Sequence, residues 1–269
     1  MYFFRQNCRF FFVFIFSFML LAPTASAQGF IETFDDSGFR DRWFIANFDQ
    51  GGKGFLTTWR RKLVSVKLSS VPAQGGGELT LELKPANDGS EKPYMGAQLQ
   101  RGKANHYGRY EVVMTAARGS GVVSAVFTYT GPYFKDPHDE VDLEILGKDT
   151  TKIWLNKFVD GEPMPGAWID LGFDAAEGPN VFAYEWYEDS ITWFANGKEI
   201  YRVTSETQRI PSHPSRLYFN LWAGNKRQAQ WLGKVPPEGP NSQMSVYCVS
   251  YRPTGDIGQT CSEYFSDKQ

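Results

Sequence analysis

The chain has 269 residues, with 28 Lys plus Arg against 30 Asp plus Glu and a formal net charge of -2 at pH 7. Charged residues at 22% beside 42% hydrophobics exclude a disordered or low-complexity chain, and the missing basic surplus argues against a nucleic-acid binder. Three cysteines are too few for a disulfide-scaffolded or zinc-held mini-domain, which leaves a globular protein with an aromatic content of 16%.

In chain order, residues 1–27 read as a secretory signal. Arg5 and Arg9 supply the positive n-region, residues 10–21 form an apolar run broken by Ser17, and Ala25-Ser26-Ala27 offers a small-x-small cleavage site. The apolar run, about 12 residues, is too short to cross ~30 Å of hydrocarbon as a helix. The expectation is a secreted protein, extracellular or periplasmic, with no membrane anchor after cleavage. Residues 28–269 then form a single monomeric domain. Cys8 leaves with the signal, and Cys248 and Cys261 remain as a pair. An oxidising compartment permits a disulfide there; two free thiols are the alternative.

The mature chain has β punctuation. Gly75-Gly76-Gly77, Asn87-Asp88-Gly89, Asp160-Gly161 and Asn196-Gly197 separate short apolar segments. Residues 110–116, 122–130, 141–146, 153–159, 181–186 and 216–221 are rich in Val, Ile, Phe, Tyr and Trp, and most alternate with period two, which predicts strands. Residues 191–195 and 198–201 flank Asn196-Gly197, a pair suited to the positive φ of a two-residue hairpin turn. No long segment shows a 3.6-residue apolar period. Many short strands without helices predict an all-β sandwich or barrel.

The most informative stretch is Asp136-Pro137-His138-Asp139-Glu140-Val141-Asp142-Leu143-Glu144-Ile145-Leu146-Gly147. On a strand, Val141, Leu143 and Ile145 face one way, into a core, and Glu140, Asp142 and Glu144 face the other in one row. Three carboxylates in line repel one another, so stability alone would place Lys, Thr or Ser there. Glycosidic cleavage needs such a set: one carboxyl to donate a proton and one carboxylate as nucleophile or base, about 5–5.5 Å apart in retaining enzymes. The α-carbons of Glu140 and Glu144 are about 13 Å apart on a flat strand, and two side chains leaning together bring the carboxyls to ~6 Å, the retaining side. Mutual repulsion is expected to raise at least one pKa. Two other uses stay open at this level: a solvated outer face, or carboxylates gathered for calcium. An EF-hand loop does not fit, because Leu143 or Ile145 stands where its Gly is needed.

Glu140-Val141-Asp142-Leu143-Glu144 resembles the signature of glycoside hydrolase family 16. Phe127-Thr128-Tyr129-Thr130-Gly131-Pro132, Leu146-Gly147-Lys148-Asp149-Thr150-Thr151-Lys152, Tyr107-Gly108-Arg109-Tyr110-Glu111-Val112, Leu171-Gly172-Phe173-Asp174-Ala175-Ala176 and Asn220-Leu221-Trp222 are similar to bacterial lichenases of that family. The resemblance covers residues 34–251. It implies a concanavalin-like jelly-roll β-sandwich of two curved antiparallel sheets with an open cleft. It also implies a retaining endo-β-glycanase with Glu140 as nucleophile, Glu144 as acid/base and Asp142 as assisting carboxylate. Secreted form and length are most similar to rhizobial endo-glycanases acting on the exopolysaccharide succinoglycan. The expected partner is therefore a polysaccharide of that type, with mixed-linkage β-1,3-1,4-glucan as the alternative, and no cofactor is expected.

For the substrate cleft, the resemblance implies Phe127, Tyr129, Phe158, Trp222 and Trp231 as sugar platforms and Asn156 and Asn220 as hydroxyl partners, with Arg101 as a subsite arginine. Trp186, Trp193 and Phe182 are read as core. His138 stands where lichenases usually carry Trp; it either abuts a sugar and tunes Glu140 or is a plain rim residue. The chain lacks the lichenase N-terminal disulfide, and Tyr247 occupies the place of a calcium-site side chain, so no metal is expected. Two rival readings keep the fold: a transglycosylase, and a non-catalytic glycan-binding module, whose usual mark is the loss of a signature carboxylate.

Overall fold

The computed structural model describes residues 28–35, 38–49, 54–69 and 76–267. The expected signal, residues 1–27, and Gly75 lie outside the described residues. The first strands are β1 (Phe30–Glu32), β2 (Trp43–Ile45), β3 (Thr57–Trp59), β4 (Val64–Leu68), β5 (Gly77–Pro85), β6 (Tyr94–Arg101), β7 (Gly108–Thr115) and β8 (Val122–Thr130). Then come β9 (Asp139–Leu146), β10 (Lys152–Val159), β11 (Glu162–Pro163), β12 (Ala167–Asp170), β13 (Asn180–Trp186), β14 (Ser190–Ala195), β15 (Lys198–Thr204), β16 (Arg216–Ala223) and β17 (Ser242–Pro253). Every strand expected from the alternating pattern is present. The α-helices are short: α1 (Phe39–Arg42), α2 (Ala229–Leu232) and α3 (Cys261–Ser266).

The strands form two antiparallel layers. One runs β15-β14-β13-β7-β17, with β1 and β5 beside different stretches of β17 and β4 outside β5. The other runs β12-β10-β9-β8-β16-β6-β2. The layers are joined where the end of β5 pairs with β6, and β3 adds a parallel pairing to β6. This is the expected jelly-roll sandwich.

Burial drives the layering. Val112, Phe182, Tyr184 and Val249 of the first layer and Val126, Leu143 and Leu217 of the second belong to one buried core. Each such aliphatic side chain contributes about 1.5–3 kcal/mol when taken out of water. Trp186, Trp193 and Phe182, read as core rather than cleft, are all buried. Tyr110 stacks between Tyr184 at 4.9 Å and Tyr251 at 4.7 Å, and Tyr184 Oη donates to Thr128 Oγ1 across the sandwich. The Asn196-Gly197 turn between β14 and β15 has φ of 46° and 79°, the left-handed values that its residue types allow.

The C-terminal segment is tied to the first layer. Cys248 of β17 and Cys261 of α3 form a disulfide with a Cα–Cα distance of 5.9 Å. Thr260 and Glu263 make a capping box at the start of α3, and Arg252 pairs with Glu263 at 2.9 Å. Among the described residues no helix is long and apolar enough to cross a membrane.

Candidate active site

Strand β9 lies between β8 and β10, so both of its backbone edges are paired and its side chains alternate strictly between core and open face. Val141, Leu143 and Ile145 are 0%, 4% and 1% exposed on the core side. Glu140, Asp142 and Glu144 line a cleft of about 690 Å³ on the other.

Register carries the cleft across neighbouring strands in rows. Glu140 is flanked by Tyr129 of β8 and Phe158 of β10, Asp142 by Phe127 and Asn156, and Glu144 by Ala125 and Trp154. Beyond β8, Tyr218 pairs with Phe127 and Asn220 with Ala125; beyond β16, Gln100 pairs with Tyr218 and Gln98 with Asn220. Phe127 and Tyr218 stack at 5.0 Å, giving the floor a flat aromatic tile. Asn220 lines the cleft almost fully buried, yet its Oδ1 has no hydrogen-bond partner among the described residues.

His138 touches the acid row directly. Its Nε2 is hydrogen-bonded to Glu140 Oε2 at 2.6 Å, and its ring stacks on Phe158 at 4.7 Å and tilts against Tyr129 at 5.1 Å. Burial holds its pKa below the ordinary value, against the pull of the Asp139 charge.

The three carboxyls are all pushed towards the protonated form, and burial is the leading cause in each. Glu140 rises from 4.5 to about 8 through burial and the Glu144 charge, and a hydrogen bond donated by Asp142 pulls it back. Asp142 rises well above its usual range through burial and then the Glu140 charge, and Glu144 through burial and then the Asp142 charge. Repulsion within the row is the expected cause; it is real but second to desolvation, because the sheet lies beneath the row and Tyr129, Phe127 and Phe158 flank it on the cleft face.

Behind the row, Asp139 holds two loops. Its Oδ1 accepts from Asp160 N at 2.9 Å; its Oδ2 accepts from Ser212 N at 2.8 Å and from His213 N and Nδ1 at 3.0 and 2.8 Å. Burial alone raises the Asp139 carboxyl, and the hydrogen bonds from Asp160, His213 and Ser212 outweigh it and hold its pKa below normal. Ligand atoms of Asp139, Asp160 and His213 lie within 4.8 Å of one another. The Asp139 oxygens already face N–H donors, which repel a cation, so this group is a loop clasp in its chemistry.

Of the other expected cleft residues, Phe127, Tyr129, Asn220 and Trp222 line the cleft. Asn156 and Phe158 share its face on β10. Trp231 instead lines an adjoining cavity, with its ring 6.2 Å from Trp222. Arg101 is corrected. It is the odd-parity neighbour of Gln100 on β6, so it turns from the cleft, lies over the Phe30 ring at 3.6 Å and sits 3.9 Å from Glu32. Burial lowers its pKa to about 10. The residues that reach the cleft from β6 are Gln98 and Gln100, which sequence reading missed although their alternation with Ala97 and Leu99 marks the face. Tyr218, two residues before Asn220, was open to the same argument. Phe44, Phe48, Phe55, Tyr133 and Phe134 also line the cleft, on short or irregular segments whose placement no local pattern announces.

Comparison with known proteins agrees with this architecture. A family model described as "Glycosyl hydrolases family 16" matches residues 52–236. A beta-glucanase of Brevibacillus brevis is 38% identical over 234 residues, covering 86% of this chain and 82% of its own. The endo-1,3-1,4-beta-glycanase ExoK of Rhizobium meliloti is 33% identical over 214 residues, covering 80% of this chain and 75% of its own. Among solved structures, a prokaryotic beta-1,3-1,4-glucanase (lichenase) from a mouse hindgut metagenome superimposes with a TM-score of 0.75 at 34% identity, covering 84% of this chain and 100% of that one. With a sandwich of this topology, an acid row open to a cleft and a family match across most of its length, the chain belongs to family 16 of the glycosyl hydrolases.

Proposed function

We propose that the protein is a secreted, monomeric endo-β-glycanase that cleaves internal linkages of a glucose-rich β-glycan with retention. The observation that carries this reading is the row Glu140, Asp142, Glu144 on the floor of an open cleft, with the carboxyls pushed towards the protonated form by burial. Glu140 attacks the anomeric carbon, and the glycosidic C–O bond breaks as the enzyme–sugar ester forms. Glu144, held protonated by burial, gives its proton to the leaving oxygen; as the carboxylate it then takes a proton from the water that hydrolyses the ester. Asp142 donates its hydrogen bond to Glu140, favouring the ionised nucleophile. His138, bonded to the same carboxyl, fixes its orientation.

The walls suit a polysaccharide that passes through. Phe44 at 52% exposure, Phe48 at 43% and Tyr133 at 88% offer aromatic faces to the C–H faces of sugars at the cleft rim. The unpartnered Asn220 Oδ1 accepts from a sugar hydroxyl. We favour a bacterial exopolysaccharide of the succinoglycan type as substrate, supported by the resemblance to rhizobial endo-glycanases and the 33% identity to ExoK. Mixed-linkage β-1,3-1,4-glucan is the second reading, supported by the similarity to a protein named as a lichenase. Export is supported by the composition of residues 1–27 and by the Cys248–Cys261 disulfide, a bond of oxidising compartments.

The test is incubation of the purified protein with succinoglycan, mixed-linkage glucan, laminarin and xyloglucan. Product masses identify the polymer cut and the product lengths, and NMR reads the linkage cut and the anomer first formed. Internal cleavage with a retained anomer is expected, and an added acceptor oligosaccharide separates hydrolysis from transglycosylation. Full activity of Glu140→Gln on every cleaved polymer refutes the assignment.

A further inference from the structure

Beside the cleft lies a second cavity of about 710 Å³ that glycoside cleavage leaves without a task. Its place follows from the alternation of β10. Lys152 shares the open face with Trp154, Asn156 and Phe158, so it continues the row that runs beside the three acids. On β12, Trp168 pairs with Trp154 and Asp170 with Lys152, and the Trp154 and Trp168 rings are 5.1 Å apart. From the other side α2 brings Trp231 to 6.2 Å from the cleft residue Trp222. Cleft and cavity therefore share one aromatic surface that continues past Glu144.

Charge separates the two. Among the described residues the cleft lining holds three acids and no Lys or Arg, whereas the cavity is lined by Lys148, Lys152 and Arg227 with Asp149 and Asp170. Lys152 is engaged by both acids, 3.7 Å from Asp149 and 3.6 Å from Asp170. Among the described residues the other two cations pair with no carboxylate. Lys148 Nζ donates to the Gln230 carbonyl at 3.1 Å and stands 5.8 Å from the Trp168 ring centre. The Arg227 guanidinium makes no hydrogen bond or ion pair among the described residues. Trp168 itself is 43% exposed, a bare aromatic face next to Lys148, a cation that pairs with no acid among the described residues.

We propose that this cavity is a subsite for a carboxylate-bearing sugar of the polysaccharide chain that occupies the cleft. The sugar's C–H face lies on Trp168 or Trp231, and its carboxylate is taken by Lys148 and Arg227. A neutral glucan uses the aromatic surface and leaves both cations to water; an acidic glycan uses both. The subsite rests on the reading of the adjoining cleft as a glycan site, and it gives that reading a preference for acidic polymers.

Calorimetry on the full mature protein carrying Glu144→Gln tests it. The probes are a neutral mixed-linkage gluco-hexasaccharide and counterparts bearing glucuronate at one end or the other. At low salt one acidic probe is expected to bind about five- to tenfold tighter than the neutral one, and the advantage to disappear at high salt. The advantage is also expected to vanish when Lys148→Ala and Arg227→Ala are added, with thermal denaturation confirming that the variant folds. Equal affinity for all the probes, or an advantage that survives the double substitution, overturns the subsite and leaves the cleft reading standing. Failure of every probe to bind overturns the cleft reading and the subsite with it.

Discussion

Replacing Glu140 by Gln should stabilise the protein at alkaline pH while removing its activity. Burial and the Glu144 charge raise Glu140 from 4.5 to about 8. Each tenfold change in proton affinity corresponds to about 1.4 kcal/mol, so ionising this group in the folded chain costs on the order of 5 kcal/mol more than in the unfolded chain. The side chain keeps 18% exposure in an open cleft, and hydration there reduces the difference to about 2 kcal/mol. A carboxyl raised in the native state is mostly neutral in both states at pH 4, so wild type and variant should then be nearly equal. As the pH climbs from the unfolded value towards 8, the unfolded chain ionises first and wild-type stability falls. Glutamine keeps the shape without the charge. A difference of about 2 kcal/mol moves the melting temperature of a domain this size by about 4–8 °C. Thermal denaturation of both proteins at pH 4, 6 and 8 reads it. The variant should melt higher at pH 8 and alike at pH 4. Equal melting at pH 8, or a gap as large at pH 4, refutes the account of a carboxyl held in strained burial for catalysis.

Further outcomes follow from the same geometry. Glu144→Gln should lower kcat/KM on polysaccharide by about 10²–10⁴, and far less on an aryl β-glycoside whose leaving group needs no proton; parallel losses on both substrates would remove Glu144 from the acid role. Serine at both Cys248 and Cys261 opens a link of sequence separation 13, worth about 3 kcal/mol, so the melting temperature should drop by about 6–12 °C. Reductant should reproduce that drop in the parent and leave the variant unchanged. Asp139→Asn leaves buried N–H donors facing a weaker acceptor and should cost on the order of 3 kcal/mol at pH 7, read by urea unfolding. Because the Asp139 pKa is held below normal, its contribution is present above the unfolded value and fades as pH falls through the folded one. The parent should therefore lose more stability than the variant between pH 5 and pH 3.

The sequence alone determined the local geometry. The alternation of Val141, Leu143 and Ile145 with Glu140, Asp142 and Glu144 placed three acids on one face, since a strand repeats every two residues whatever surrounds it. The Asn196-Gly197 hairpin was legible for the same reason: its turn needs positive φ, and those residues tolerate it. Only the tertiary structure decided which faces meet. Gln98 and Gln100 reach the cleft because β6 pairs with β16, and Arg101 misses it by one residue of parity. Phe44, Phe48 and Tyr133 come from segments with no period to read, and they reach the cleft through contacts far away in the chain. The cause of the raised carboxyls was likewise hidden. Repulsion is visible in a row of acids, but desolvation depends on what packs around them, and that is set by pairings distant in sequence.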